Sequence, residues 1–578
     1  QTAARVRPGD TIQIGPYLIT LAAPNPAQGT PAVSNEQTLL FNDRTGQLAP
    51  VPPPAPLPAP PRAGGPSAPA FPPASFDQPV VPMSELAAGD LPVQQATFLA
   101  IGGGLGSFIW VDNLVVSGAD PREVVALGTD PEPYARYKRL CRNSQIPDHE
   151  RLRSNSDSCP DNLWGWPGYA VREMWGDLRR GRLGAFFAVG WQLFGEPAVA
   201  QTYTPRAGDV FRAIDREAAR IGWERIWRYG RVRAIRKTDD GRFVVAYSQS
   251  GQGGGGHQLI VAPFIQIATG YPSIQFLPDL QDYRARTQDF RSIVNAYEEH
   301  EHVYEHLARH GGVVLLRGRG IVASRIIQRL YELRARNPQI GILHLMRSPN
   351  PQGNRYGRAR RAVADHFEFQ PFNWPKATWG GDLRAVLEAA PQATRDQLLN
   401  DWGGTTTAAR ADWRRIVSAG LSEGWYRIEF GDVEKVERDE DQNKVITSIR
   451  GRGLVQNRIE LPADFIIDAT GLDAKVTSNP LLADLVEQYG LQLNSKGRLL
   501  VANDFEIAGM RNGVGRVYAA GAMTLGGPYA PVDSFLGLQY AAQRSVDALG
   551  AIAPARLRRL NGLRSLAQWW RWARGVQP

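Results

Sequence analysis

Two short glycine patterns carry the chemistry legible in this 578-residue chain. The first is Gly102-x-Gly104-x-x-Ser107, with Gly106 inside it. It closes the apolar run Phe98, Leu99, Ala100, Ile101 and opens a helical pattern through Phe108, Val111 and Val115. The second is Gly318-x-Gly320-x-x-Ala323, between Val313, Val314, Leu315, Leu316 and a helical face of Val322, Ile326, Leu330 and Leu333. A strand that ends in such glycines and turns into a helix brings backbone N–H groups and the positive helix end to a pyrophosphate. Small residues at Ser107 and Ala323 suit close helix–strand packing. One such pattern is weak evidence; a pair in one chain implies two dinucleotide sites.

The residues at the neighbouring strand ends sort the two sites. After the first pattern, residues 122–128 read as a second strand, whose end usually carries an acid for the adenosine ribose. Gly128-Thr129 stand there instead, and Asp130 just behind is the candidate. After the second pattern, the strand 340–346 runs into Arg347-Ser348, a basic and a hydroxyl residue that suit the 2′-phosphate of NADP, with Arg355 and Arg358 adding charge. Two further apolar strands end in Ala-Thr-Gly, giving Thr269, Gly270, Thr470 and Gly471 as small residues beside which a cofactor can pass. A last strand ends at Gly521, and a helix begins near Asp533-Ser534. Ser534 suits its N-cap, and the helix end would stabilise negative charge on a reduced flavin. The first site therefore reads as FAD and the second as NADPH.

Positioning these residues requires an α/β fold with two Rossmann-like dinucleotide-binding domains, the NADP domain inserted into the FAD domain. The expected division is a β-segment at 1–22, a Pro-rich linker at 23–94, FAD-binding parts at 95–300 and 471–550, and an NADP-binding domain at 301–470. A basic, Trp-rich tail follows at 551–578. The aromatic loop 152–169, with Trp164 and Trp166, reads as a flavin cover or as ordinary packing. The glycines 251–256 lack the Lys-Ser/Thr of a P-loop and read as a hairpin tip. Residues 366–425, including Phe372, Trp374 and Pro375, read as an insertion walling a substrate cleft.

His302, His306 and His310 are spaced to share one helix face. No cysteine joins them and H-E-x-x-H is not met, so no metal site is expected. The two cysteines, Cys141 and Cys159, form no C-x-x-C, which argues against a dithiol active site. The balance of 66 Lys+Arg against 57 Asp+Glu is mildly basic, without a block that would imply nucleic acid. No apolar segment is long enough to span a membrane. A cytoplasmic location is expected, with the Trp-rich tail as a peripheral membrane contact or a patch docked on the protein itself. The β-segment, the Pro-rich linker and the tail are the candidate contacts for a protein partner.

Residues 95 to 550 together resemble the flavoproteins with two dinucleotide-binding domains, and within them the NADPH-dependent flavin monooxygenases, including the N-hydroxylating lysine/ornithine type. The resemblance rests on Gly102/Gly104, Gly318/Gly320, the Ala-Thr-Gly-Tyr of residues 268–271 and, loosely, His300-x-x-x-Tyr304. It departs at Ser107, at the displaced Asp130 and at Ala522, where Gly-Asp is common. It implies FAD and NADPH as cofactors, and oxygenation of a small substrate such as an amine through a peroxyflavin. That scheme requires no side-chain acid or base, and no catalytic side chain is assigned. A flavin reductase serving a partner protein or quinone, and a non-catalytic flavoprotein-like scaffold, stay open beside it. Residues 8–21 resemble the closing strands of a forkhead-associated domain.

Overall fold

The computed structural model describes residues 11–14, 17–20, 71–152, 168–195, 203–249, 256–356, 359–369, 382–402, 406–407, 410–451, 458–552 and 556–578. The chain divides into the units Gln1–Ala68 and Pro69–Pro578. In the first, Thr11–Ile14 and Tyr17–Thr20 pair antiparallel, so the β-segment is a hairpin.

Two parallel sheets organise the second unit, and they share the order of four strands; the fifth, at one edge, is the last of the first domain but the first of the second. The first runs Arg516–Ala519, Phe264–Ile267, Phe98–Ile101, Val124–Gly128, Trp227–Tyr229, every neighbour parallel. The second begins Ile293–Asn295, Phe465–Asp468, Gly312–Arg317, Ile340–Met346, Tyr426–Asp439, again all parallel. In each, the strand entering a glycine turn is central, the Ala-Thr-Gly strand lies on one side of it and the second strand on the other. In each, an antiparallel meander leads from the outer strand back to the Ala-Thr-Gly strand. The meander is Arg231–Thr238, Phe243–Gln249, Gly256–Ala262 in the first domain and Tyr426–Asp439, Lys444–Gly451, Arg458–Ala463 in the second. Phe98–Ile101, Val124–Gly128 and Phe264–Ile267 are buried along their whole length, as expected of parallel strands covered on both faces. Helix Leu105–Val116 is buried nearly all round, which explains its lack of a polar face, and helix Phe535–Leu549 packs along it.

The second domain is inserted where the first Ala-Thr-Gly strand ends. The outgoing and returning segments, Ser273–Ile274 and Leu472–Asp473, pair antiparallel into a two-stranded ribbon. The chain therefore crosses at 273–274 rather than at 300, because Ile293–Asn295 is a strand of the second sheet. The linker boundary at 94 also moves. Phe76 and Leu86 are core residues, and Val80–Val81 and Val93–Gln95 form the edges of the meander sheet, so the chain is folded from about residue 71. The tail forms helix Gly562–Ala573 and docks on the first domain. There Gln568 Nε2 donates to Val116 O at 2.9 Å and Trp572 Nε1 donates to Glu217 Oε1 at 2.8 Å. The loop residues 153–167, the glycines 251–255, Arg358 and the aromatic run 372–376 lie outside the described residues.

The twin glycine turns close in the same way. Gly102 has φ 127° and Gly318 φ 115°. A Cβ on Gly102 would stand 2.2 Å from Ala268 O, and one on Gly318 2.3 Å from Ala469 O. Ala268 N donates to Ile101 O at 2.8 Å, and Ala469 N to Arg317 O at 2.7 Å. No side chain fits either position. Gly102→Ala and Gly318→Ala are each expected to destabilise their domain by roughly 2–4 kcal/mol through clash and left-handed strain, read as a lower urea midpoint with an unchanged slope.

Candidate functional site

At the first turn the glycines divide into two kinds. Gly102 is filled by protein, whereas a Cβ on Gly104 would meet nothing nearer than Pro133 O at 3.9 Å. Gly104 is the N-cap of helix Leu105–Val116. No side chain caps it and no acid lies in the first turn, so the helix opens with free N–H groups toward that space. The close helix–strand approach expected of Ser107 falls on Gly106, whose Cβ would lie 2.8 Å from the Ala268 methyl. Ser107 itself is fully buried, its hydroxyl without a hydrogen-bond partner among the described residues.

The missing acid at the second strand end has a steric cause. Gly103 and Gly128 are pressed together, and a Cβ on either would come 2.6 Å from the other's Cα. A carboxylate at 128 cannot be built there. Asp130 sits just beyond, 3.5 Å from Arg139 Nη1, with the Thr129 hydroxyl also 3.5 Å away. It therefore enters any ribose contact as a shared, partly neutralised carboxylate.

The other first-domain residues gather at the same carboxyl edge of the sheet. Thr269 Oγ1 accepts from Asn479 Nδ2 at 3.4 Å, and Gly270 is open except for Arg136 Nη1 at 4.0 Å. Gly521, φ 83°, follows the adjacent strand and lies against Leu538, which also touches Gly106. Thr524 returns a hydroxyl hydrogen bond to Gly521 O at 2.9 Å, and Ala522 is buried in that turn. Ser534 caps the closing helix by accepting from Gly537 N at 3.0 Å. Its neighbour Asp533 accepts the phenol hydrogen bond of Tyr271, while Arg136 donates to Tyr271 O, tying this helix to the Ala-Thr-Gly-Tyr turn.

The second site repeats the plan with added charge. Gly320 is the uncapped N-cap of helix Ile321–Arg334, again with no acid in its first turn, and Ala323 is fully buried. Arg347 stands exposed beyond Ile340–Met346. Arg319, the variable residue between the two glycines, reaches Ser348 O at 3.3 Å, and burial lowers the pKa of its guanidinium. Two arginines therefore flank Ser348. The sequence pointed to Arg347, with Arg355 and Arg358 adding charge, and Arg319 was missed, although the cation inside Gly-Arg-Gly was the available signal. Thr470 is folded back, its N and Oγ1 donating to Asp468 Oδ1 at 2.9 and 2.6 Å, while Gly471, φ 131°, stays open.

His344 was not anticipated. Fully buried on the strand beside Gly318, its Nε2 meets Gly318 O and its Nδ1 lies 2.8 Å from Tyr426 Oη. A neutral ring donating from Nε2 and accepting at Nδ1 satisfies both, and so pins the glycine turn to two strands. The histidines upstream make no metal cluster among the described residues. His300 lies 2.8 Å from Glu298 O and 2.9 Å from Tyr304 Oη, and His302 reaches Arg291 O.

Burial lowers the His344 pKa to about 4. Above pH 6.5 the imidazole is neutral whether folded or unfolded. Below it, the unfolded chain takes up a proton that the folded chain refuses, so stability falls between about pH 6.5 and pH 4 by about 3 kcal/mol. Urea titrations across that range are expected to show the loss, and His344→Gln to remove this part of the slope.

No family model and no curated protein sequence matches the chain. Solved structures do. The reduced form of ornithine hydroxylase (PvdA) from Pseudomonas aeruginosa is 14% identical, covering 80% of this chain and 99% of its own, with a TM-score of 0.53. DfoA bound to FAD, the cadaverine monooxygenase of desferrioxamine biosynthesis from Erwinia amylovora, is 15% identical over 79% and 94% of the two chains, at 0.54. The ornithine N-hydroxylase KtzI of Kutzneria sp. 744, with reduced FAD, NADP+ and L-ornithine, is 14% identical over 78% and 98%, at 0.54. At these identities the likeness is one of fold: this chain carries the two-dinucleotide-domain architecture seen in those flavoproteins over nearly their whole length.

Proposed function

We propose that the chain binds FAD at the first glycine turn and NADPH at the second, and uses them to oxygenate a small substrate, with an amine as the first class to test. The observation that carries this reading is the division of the first turn's glycines. Gly102 is filled by protein, while Gly104, Gly270 and the uncapped helix end face open space on one edge of the sheet. Such an edge fits a pyrophosphate and a ring system lying along it. When bound, FAD supplies the acceptor for hydride and the centre at which oxygen is activated. The chain's own work is to hold and orient. The N–H groups of Leu105, Gly106 and Ser107 face the phosphates. The helix end behind Ser534 offers its dipole to negative charge, and Thr269, Gly270 and Gly521 keep the backbone low where the ring would pass.

At the second turn Gly318, Gly320 and Ala323 form the corresponding cradle, while Arg347 and Arg319 beside Ser348 select a 2′-phosphate. Thr470 and Gly471 line the return to the first domain. The described residues contain no helix long and apolar enough to cross a membrane. NADPH as reductant favours the cytoplasm, with contact to a membrane surface as the finer reading.

Purified protein reconstituted with FAD is expected to show a flavin spectrum, to bleach with NADPH, and to take up oxygen faster with an amine that fits. No bound flavin would end the proposal; bleaching without substrate-dependent oxygen uptake would turn it toward a reductase. Gly104→Val is expected to abolish flavin retention, whereas Gly104→Ala should cost less than about 1 kcal/mol of stability. Arg347→Ala and Arg319→Ala are each expected to raise KM for NADPH about tenfold and leave KM for NADH nearly unchanged, measured by steady-state oxidation of each nucleotide.

A further inference from the structure

The helical hairpin Gly168–Arg179 and Leu183–Gly195 belongs to neither glycine site, yet it presents an unusual surface. Along its second helix Leu183, Phe187, Trp191 and Phe194 recur on one face and are 55%, 67%, 59% and 80% exposed. Its first helix adds Trp175, 58% exposed. A soluble surface seldom carries so many large apolar side chains together.

The charges are sorted as sharply. The hairpin contains two acids, and both turn inward: Asp177 is buried and Glu173 is bound by Arg151 and by the Tyr203 hydroxyl. Three of its four arginines, Arg172, Arg179 and Arg180, face solvent, and the fourth, Arg182, is half exposed and paired with Asp177. The carboxyl-terminal helix Gly562–Ala573 repeats the arrangement. Leu563, Leu566 and Trp570 are 86%, 60% and 56% exposed, Arg571 and Arg574 are exposed beside them, and no acid occurs anywhere in residues 556–578.

One element connects the two surfaces. The hairpin is anchored at the start of helix Ala207–Ile221, through Tyr203 and Arg151 on Thr204 O. The carboxyl-terminal helix is anchored at its end, through Glu217 and Arg220 O. Fifteen residues of helix separate the anchors by about 22 Å.

We infer that the hairpin 168–195 and helix 562–573 dock the protein on an anionic lipid surface. Trp, Phe and Leu enter the headgroup boundary while arginines meet phosphate groups. Apolar wedges flanked by cations and stripped of exposed acid are what such an interface selects. Two wedges on separate anchors also match an extended sheet of lipid better than a single protein pocket. Neither helix surface includes a residue assigned to a nucleotide turn, so the inference does not depend on flavin binding.

Co-sedimentation of the full chain with vesicles tests it. Vesicles of phosphatidylcholine and phosphatidylglycerol in equal parts are expected to carry the protein down. Pure phosphatidylcholine should do so weakly, raised salt should release the bound fraction, and tryptophan emission should shift to the blue on binding. Phe187→Glu with Trp191→Glu, and separately Leu566→Glu with Trp570→Glu, should each weaken binding about tenfold or more. All four side chains are exposed, so thermal melting should stay unchanged and separate lost docking from lost folding. A chain that stays in solution with anionic vesicles, or whose binding ignores both double variants, would overturn the inference. So would a concentration-dependent dimer, seen by sedimentation, that the variants dissolve without lipid present.

Discussion

A single main-chain contact, made twice, governs this molecule: a glycine at a strand end lies directly against the carbonyl of the alanine in Ala-Thr-Gly. At Gly102 and Ala268, and again at Gly318 and Ala469, the gap admits no side chain. The contact fixes how near the two central strands of each sheet lie at their carboxyl ends. It thereby sets where the helix behind the glycines begins. Its free N–H groups are delivered to the sheet edge because the backbone has nowhere else to go. The remaining features of each site can be read as supports for that turn. In the first domain Gly106 and Leu538 fill in behind it; in the second, His344 bridges Gly318 to Tyr426.

What could be read from the sequence followed from how local each feature is. Glycines at a strand end, small residues in Ala-Thr-Gly and a serine ahead of a helix act within a few residues, and they stand where expected. Ser107 is fully buried, as a small residue at that position suits, but the contact of Gly106 with the Ala268 methyl depends on the helix's rotation against the neighbouring strand, and only packing reveals it. The absent acid at Gly128 looked like a departure from a pattern, and becomes intelligible only beside Gly103, a neighbour across the sheet. The domain crossing was misplaced because Ile293–Asn295 is too short for periodicity to register. The exposed face of 168–195 was equally hidden, since an apolar helix reads as core until its partners are known, whereas the Trp-rich tail stood out by composition alone.

The second domain also shows how one architecture is tuned by its charges. Both glycine turns present uncapped helix ends without acids, so both welcome an anion. What distinguishes them lies at the second strand's end. One holds glycines pressed together with a carboxylate already shared with Arg139; the other holds a serine between two arginines. On the proposed reading, discrimination between nucleotides would rest on a few side chains set on nearly identical backbones.

The paired ribbon of Ser273–Ile274 and Leu472–Asp473 has a consequence for how such a chain could arise. Entry and exit of the inserted domain lie side by side, one hydrogen-bond spacing apart. To its host, the whole insertion is therefore no more demanding than a tight turn, and its length is nearly free of closure entropy. A module with its ends already joined can be duplicated, transplanted or lost without disturbing the sheet that receives it. The order that four strands of the two sheets share is what such a duplication would leave behind.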